Sequence, residues 1–97
     1  MHSIVIDKPA LKVIRKFPDA LKKRLDEELD KLEKDPHIGK LLGPPFRKLG
    51  IRTRPFHYKR SEYRIAYYIH EEEKEVFILW VDSRENFYKK LKRRLGL

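Results

Sequence analysis

The sequence contains no cysteine and no long apolar run, and these absences exclude several kinds of protein. Without cysteine there is no disulfide framework, no thiolate metal site and no cysteine nucleophile. No apolar stretch approaches the roughly 20 residues that cross a bilayer, and the opening stretch HSIVIDK is too short for the core of a signal peptide. The histidines His2, His37 and His70 have no metal-ligand spacing. We therefore expect a cytoplasmic protein without a membrane segment, a metal or a cofactor.

Length and composition indicate one domain. The chain has 97 residues, of which 40% are apolar. A chain of this size buries about 60 to 65% of the surface of its extended form, which is enough for a hydrophobic core. Repeats and low-complexity tracts are also lacking. We expect a single domain over residues 1–97.

Acidic residues are scarce in one part of the chain. The net charge is +9, and residues 1–46 hold ten Lys or Arg against eight Asp or Glu, whereas residues 47–97 hold fourteen against seven. Within residues 47–64 seven basic residues accompany a single acidic one, Glu62. These like charges repel one another unless an anion binds beside them. Nucleic acid is the first candidate, and an anionic membrane surface is the second, although Pro55 breaks the amphipathic helix that a membrane would require.

The first half of the chain is predicted to form a strand and a helical hairpin. Ile4 and Ile6 alternate with other residues in a short N-terminal strand. Apolar residues then recur at helical spacing from Ala10 to Leu32, and Pro18 separates the pattern into two helices. The stretch HIGKLLGPPFRKLG, with two adjacent prolines and three glycines, is predicted to be a loop.

The second half of the chain changes to a period of two residues, which is typical of strands. Strands are predicted in IRTRPFHYK, over residues 63–70 and over residues 76–81. A final helix is expected to begin at Asp82 or Ser83, with Glu85 completing a capping box. The order of strand, helical hairpin, three antiparallel strands and C-terminal helix predicts an α+β fold with an antiparallel sheet.

Two groups of side chains are assigned from these patterns. The acidic residues of the second helix are predicted to form a solvated face with salt bridges, and they are Asp26, Glu27, Glu28 and Asp30. Aromatic residues interleave with the basic ones, as single-stranded RNA binding requires. Because alternation puts Tyr63 and Tyr67 on one face of a strand, we expect these two to pack together. Tyr58 and Phe56 are then the expected stacking residues.

One long segment and the order of elements resemble a known family. The segment is EYRIAYYIHEEEKEVFILWVDSRENFYKKLKRRL, and its most specific parts are YRIAY with Arg64, WVDSR with Arg84, and ENFYKKLKR with Tyr88. Nearly the whole chain resembles the RelE/ParE superfamily of bacterial and archaeal toxins from type II toxin-antitoxin systems. This resemblance implies a RelE-like fold and an endoribonuclease that cuts messenger RNA, in many members on the translating ribosome, and that a cognate antitoxin holds inactive.

The resemblance also implies site residues. In RelE-type toxins a strand arginine, an arginine after the last core strand and a tyrosine near the C-terminus serve the reaction, and Arg64, Arg84 and Tyr88 match these positions. Arginines suit charge stabilisation at phosphorus but are poor proton shuttles. Tyr88 could donate a proton or stack on a base, and His57 could act as a general acid or base. We predict these four residues as the catalytic set.

Each of these four residues also has an ordinary structural interpretation. Arg64 could form an ion pair with Glu62 on the sheet surface, and Arg84 could be a first-turn helix residue. Tyr88 could pack beside its neighbour on the helix, and His57 could be a strand histidine without a role in chemistry.

RNA-binding residues and partners are predicted around this set. The candidates for a track that holds RNA phosphates are Arg52, Arg54, Lys59, Arg60 and Tyr58. The expected partners are messenger RNA, the ribosome with its 16S ribosomal RNA, and an acidic antitoxin that folds as it binds. Two other functions stay open: a ParE-like inhibitor of DNA gyrase without RNA chemistry, and an RNA-binding module without catalysis. A fold alone does not choose among them.

Overall fold

The computed structural model describes residues 1–97 and contains a five-stranded sheet with helices on both faces. The strands are β1 (Ser3–Ile6), β2 (Lys40–Leu41), β3 (Arg52–Tyr58), β4 (Ser61–His70) and β5 (Glu75–Ser83), and the helices are α1 (Lys8–Arg15), α2 (Asp19–Lys34) and α3 (Phe87–Leu95). Across the sheet the order is β1-β5-β4-β3-β2, with β1 parallel to β5 and every other pair antiparallel. The predicted α+β fold is confirmed, but the sheet, which was predicted to be antiparallel, is mixed because β1 runs parallel to β5. None of its helices is both long enough and apolar enough to cross a membrane.

Prolines delimit the two helices of the hairpin. Pro9 lies in the first turn of α1, where its missing N–H leaves no helical hydrogen bond unmade. α1 ends at Arg15, and Pro18 occupies the N-cap position of α2. α2 ends just before Asp35 and Pro36. The predicted helix boundary at Pro18 is therefore confirmed.

One hydrophobic core lies between the helical hairpin and the sheet. Apolar residues at helical spacing on α2 meet the inward-facing residues of β4 and β5. Its buried members are Ile14, Leu21, Leu25, Leu29, Leu32, Phe56, Ile65, Tyr67, Val76, Ile78 and Val81. Each large apolar side chain buried in this way stabilises the fold by about 1.5 to 3 kcal/mol. Tyr63 and Ile69 pack against the same cluster, as the alternation along β4 predicts.

A second core lies on the opposite face of the sheet, beneath α3. Phe87 and Leu91, four residues apart on α3, are fully buried there. Phe46 and Ile51, which flank the turn before β3, complete this core from the side. These contacts anchor the first turns of α3. They therefore also determine the position of Tyr88, which follows Phe87 on this helix.

A β-bulge lets β5 supply both cores. Ala66 is opposite Trp80, whereas the next residue, Tyr67, is opposite Ile78, so Leu79 is an extra residue on β5. Ile78 belongs to the first core, and Leu79 and Trp80 pack in the second. The apolar run VFILWV therefore reads as a strand that is covered on both faces.

The stretch HIGKLLGPPFRKLG, predicted to be a loop, contains the short edge strand β2. Hydrogen bonds to the buried hydroxyl of Tyr67 hold the start of this stretch against the core. The hydroxyl donates to the Pro36 carbonyl (2.6 Å) and accepts from the backbone N–H of Gly39 (2.9 Å). Burial raises the pKa of this hydroxyl, so it remains a proton donor. A side chain at position 39 would collide with the Tyr67 ring, which is why glycine stands there.

The predicted capping box at the start of the last helix is wrong. Residues 84–86 form a 3-10 turn before α3, and no side chain caps either element. The Asp82 carboxylate accepts instead from the backbone N–H of Ser83 (2.8 Å) and the indole N–H of Trp80 (3.3 Å), and it pairs with Lys90 (3.3 Å). Glu85 is left exposed, without a partner in the turn.

Asp26, Glu27 and Asp30 on α2 are exposed, as predicted, but none of them forms the predicted salt bridges, and the prediction of exposure is wrong for Glu28. Glu28 is only 2% exposed and receives hydrogen bonds from Arg24 (2.8 Å), Lys31 (3.2 Å) and, across the core, Arg54 on β3 (3.4 Å). Arg24 also donates to the backbone carbonyl of His57 (3.1 Å). This network ties the middle of α2 to the end of β3.

Glu28 should make the stability of the fold sensitive to acid. Burial opposes ionisation of Glu28, but the hydrogen bonds from Arg24 and Lys31 outweigh it and hold its pKa below the usual 4.5. The stabilisation is therefore complete above pH 4.5 and is lost as the pH falls through the lower pKa of the folded state. We expect Glu28→Gln to lower the free energy of unfolding at neutral pH by about 2 kcal/mol, because its cationic partners stay partly hydrated.

Urea unfolding between about pH 7 and pH 3 measures this effect, since the slope of stability against pH counts the protons taken up on unfolding. Glu28→Gln should decline less steeply with acid than the wild type. Glu27→Gln, an exposed neighbour on α2, is the matched control and should change stability by less than about 0.5 kcal/mol. An acid slope for Glu28→Gln that equals the wild-type slope would contradict the assignment.

Candidate active site

A polar cleft opens at the end of the sheet where β4 begins and β5 ends. Its volume is about 890 Å³. The cleft is lined by His57, Arg60, Ser61, Glu62, Tyr63, Ser83, Arg84 and Glu85. Only one of these residues is hydrophobic, so the cleft is suited to a charged or strongly polar ligand.

Strand register places the candidate residues on one face of the sheet. Glu62 is opposite His57 on β3, and Arg64 is opposite Asp82 on β5. Residues opposite each other in a sheet share a face, as do residues two apart along a strand. His57, Glu62 and Arg64 therefore project from the face on which α3 packs.

Arg64 is the centre of the site. Its Nη1 donates to the hydroxyl oxygen of Tyr88 (2.6 Å), and its Nε and Nη2 each lie 3.0 Å from Oε2 of Glu62. Arg84 approaches the same Glu62 oxygen, with its Nε at 4.0 Å. The fold thus brings Arg64 and Arg84 to one carboxylate and places the Tyr88 hydroxyl on Arg64.

Tyr88 is held by packing and still presents its hydroxyl group. Its ring lies 5.1 Å from that of Phe87 and 6.3 Å from that of Phe46, measured between centroids, and the Arg64 guanidinium carbon lies 5.6 Å from the Tyr88 centroid. The residue remains 38% exposed. Because the hydroxyl oxygen accepts from Arg64, its own O–H is free to donate to a ligand. Packing and a chemical role are compatible at this position.

His57 and Arg84 line the cleft and are exposed. The Arg84 side chain is 71% exposed, which leaves most of its guanidinium available to an anion. His57 is exposed as well, whereas its backbone carbonyl is held by Arg24. The strand end is therefore fixed while the imidazole stays accessible. No group of three or more His, Cys, Asp or Glu side chains is arranged to hold a metal ion.

Three of the five residues predicted to bind RNA lie near the cleft. Arg60 lines it, and Lys59 belongs to the same turn between β3 and β4. The Lys59 ammonium lies 5.4 Å from the ring centroid of Tyr58, which is partly exposed at the end of β3. This hairpin end is cationic and carries an aromatic ring, as a surface for single-stranded RNA does.

The other two predicted RNA-binding residues, Arg52 and Arg54, project from the opposite face of the sheet. Arg52 donates to the Gly39 carbonyl (2.9 Å), and Arg54 pairs with the buried Glu28 (3.4 Å). Both are opposite core residues of β4 and are only partly exposed. The structure does not bring them together with Arg64 and Arg84.

The prediction that Phe56 stacks on bases is wrong. Phe56 is 2% exposed, with its ring 5.7 Å from that of Tyr63 and beneath the Arg24 guanidinium at 5.3 Å. Tyr67 is a buried member of the first core and Tyr63 packs against that core, so the two share a face as expected. The ring partners of Tyr63 are Phe56, Tyr58 and Phe17, and Tyr67 is not among them.

Glu62 is the site residue whose importance the sequence interpretation missed. It was assigned only a surface ion pair with Arg64, yet its carboxylate lies between Arg64 and Arg84. One signal was available, because Glu62 is the only acidic residue within residues 47–64 and stands two positions before Arg64. The approach of Arg84 depends on the pairing of β4 with β5 and has no local signal.

Similar solved structures are RelE toxins, free and in complexes. A free arginine-to-alanine double mutant of Escherichia coli RelE has a TM-score of 0.74 and 26% identity, over 97% of both chains. The toxin-antitoxin complex RelBE2 from Mycobacterium tuberculosis matches with a TM-score of 0.74 and 25% identity, over 86% of this chain and 98% of that one. The intact Escherichia coli RelBE complex matches with a TM-score of 0.70 and 26% identity, over 88% of this chain and 99% of that one.

Sequence comparison gives the family. No curated protein matches the chain. A family model described as the ParE-like toxin of type II bacterial toxin-antitoxin systems matches residues 4–92, which is most of the chain. Together with the RelE-like fold, this match means that the chain belongs to the RelE/ParE family of type II toxin-antitoxin toxins.

Proposed function

We propose that this toxin is a metal-independent endoribonuclease that cuts messenger RNA on the ribosome and so inhibits translation. The observation that supports the proposal is the convergence of Arg64, Arg84 and Tyr88 at one end of the sheet. Two permanent cations and a phenol suit the cleavage of a phosphodiester. Such a reaction takes place in the cytoplasm, where messenger RNA is translated.

The proposed reaction is attack of a ribose 2′-hydroxyl on the adjacent phosphorus. The 2′-oxygen loses its proton and bonds to phosphorus, and the bond from phosphorus to the 5′-oxygen breaks as that oxygen gains a proton. Arg64 and Arg84 stabilise the extra negative charge of the phosphorane, a role often worth about 3 kcal/mol per donor. We assign proton donation to Tyr88, whose O–H is free, and proton acceptance to His57, whose exposed imidazole lines the cleft and has a nitrogen that can accept a proton.

RNA binding in this proposal uses the hairpin beside the cleft. Arg60 and Lys59 neutralise backbone phosphates, and the exposed part of the Tyr58 ring stacks on a base. Arg52 and Arg54 are left out of this track because each already has a partner on the other face of the sheet.

Substitution of Arg84 or Tyr88 should slow cleavage without unfolding the protein. Arg84→Ala removes an exposed cation and should cost about 3 kcal/mol of transition-state stabilisation, a hundredfold or more in rate. Tyr88→Phe keeps the ring against Phe46 and Phe87 and removes only the hydroxyl, so it should also lower the rate of the chemical step. Single-turnover cleavage of messenger RNA on ribosomes measures both.

Arg15→Ala is the control for charge, because Arg15 is exposed at the end of α1, outside the cleft. It should cleave at close to the wild-type rate. A fully active Tyr88→Phe variant would make Tyr88 a packing or stacking residue, and proton donation would then have to be sought at His57. An Arg84→Ala variant that cleaves normally at saturating RNA would limit Arg84 to binding.

Inhibition of DNA gyrase is the second candidate, because the matching family model describes ParE-like toxins. The purified protein should be incubated with messenger RNA, with and without ribosomes, and separately with gyrase and supercoiled DNA. Our proposal expects cleavage when ribosomes are present and unchanged gyrase activity. Gyrase inhibition without RNA cleavage would replace the proposal, and RNA binding without cleavage would indicate a binding module.

An acidic antitoxin is the proposed protein partner. RelE toxins in two of the similar structures are in toxin-antitoxin complexes. The present chain has a net charge of +9, with fourteen basic against seven acidic residues in residues 47–97, which favours an anionic partner.

Salt should weaken the complex with this antitoxin. Because screening shortens the range of attraction between exposed charges, the dissociation constant should rise by about tenfold between low and high salt. The measurement requires the toxin to be co-purified with the protein encoded beside it, followed by titration at several ionic strengths. Recovery of the toxin alone, with no small acidic protein encoded next to it, would count against this prediction.

A further inference from the structure

In the free chain, three of the five N–H groups of the Arg64 guanidinium already have partners. Its Nη1 is used by Tyr88, and its Nε and Nη2 both point at Oε2 of Glu62, each at 3.0 Å. Nε and Nη2 form one of the two forks with which arginine binds phosphate oxygens. A carboxylate oxygen of the same chain therefore occupies this fork of Arg64.

The Glu62 carboxylate also engages the second arginine of the site. Arg84 Nε lies 4.0 Å from the same oxygen, so one anion lies between two cations as a bridging phosphate would. The Glu62 side chain is 22% exposed and lines the open cleft, and its only ion pairs are with these two arginines. Rotation of the Glu62 side chain towards water would release both arginines together.

We propose that Glu62 is a built-in competitor for the RNA phosphate: its carboxylate occupies the phosphate position on Arg64 and Arg84 in the free toxin and has to leave before substrate binds. This inference rests on the proposed function and names the residue that sets the affinity of that site for phosphate. A single phosphate group has to displace a carboxylate that is already in place. A longer RNA that also contacts the hairpin at Arg60 displaces it more easily, because more contacts oppose the same competitor.

Binding of an RNA that cannot be cleaved tests this proposal. A fluorescent single-stranded RNA with 2′-O-methyl groups throughout lacks the attacking hydroxyl, and its anisotropy reports affinity for the intact protein. Glu62→Gln keeps the shape and removes the charge, and it should tighten binding by about fivefold or more. Glu62→Ala, which removes the competing group altogether, should do the same.

Glu85→Gln is the matched control for charge. Glu85 lines the same cleft and is exposed, but it forms no ion pair with Arg64 or Arg84. Its substitution should tighten binding by less than about twofold. An equal gain for Glu62→Gln and Glu85→Gln would overturn the proposal, because general charge would then explain the effect.

Two other roles for Glu62 predict different results. If Glu62 orients Arg64 for substrate, Glu62→Gln and Glu62→Ala should bind the RNA more weakly than wild type. If Glu62 is the general base, the variants should keep wild-type affinity and lose kcat in the ribosome assay. Either outcome would overturn the proposal.

The variant Arg64→Ala separates failure of this inference from failure of the proposed function. It should bind the 2′-O-methyl RNA at least tenfold more weakly than wild type, because the phosphate position itself is lost. If Arg64→Ala binds as well as wild type, or if no protein binds the RNA, the proposed site is wrong and the inference fails with it. If Arg64→Ala binds weakly but Glu62→Gln does not bind more tightly, only the role of Glu62 is wrong.

Discussion

The structure has to hold two arginines, Arg64 and Arg84, close to the same carboxylate oxygen at one end of the sheet. Arg64 and Arg84 repel each other, and the Glu62 carboxylate between them offsets that repulsion in the free chain. Their positions depend on packing elsewhere: Arg64 on the register of β4 with β5, and Arg84 on the anchoring of α3 by Phe87 and Leu91. Both cores therefore contribute to the site, and Tyr63, which packs against the first core, also lines the cleft.

The period of two along β3 explains why a run of basic residues does not make one basic surface. Arg52 and Arg54 lie on the face that packs against the helical hairpin. Arg52 donates to the Gly39 carbonyl before β2, Arg54 pairs with the buried Glu28 of α2, and both contacts strengthen the fold. His57 shares the other face with Arg64, and the turn at Arg60 extends beside it. Arg52 and Arg54 are thus structural, whereas Lys59 and Arg60 in the turn are available to an anion.

The two faces of the sheet have separate tasks, and this separation would allow one fold to carry different activities. The face under the helical hairpin is filled by apolar side chains and determines the fold. At the end of the other face the residues are polar and exposed, so they can change without loss of the core. In the function that we propose, a few side chains around Arg64 decide the activity.

Local pattern determined the elements of this protein, because helix and strand periodicity and proline positions act over a few neighbouring residues. Pro18, the alternation along β4 and the apolar face of α3 were sufficient to predict the α+β order. Tertiary structure alone decided that Glu28 is buried, that Leu79 is an extra residue in a bulge and that Arg84 reaches Glu62. These features depend on which distant residues become neighbours when strands pair and helices pack, and periodicity within one segment carries no information about its partner.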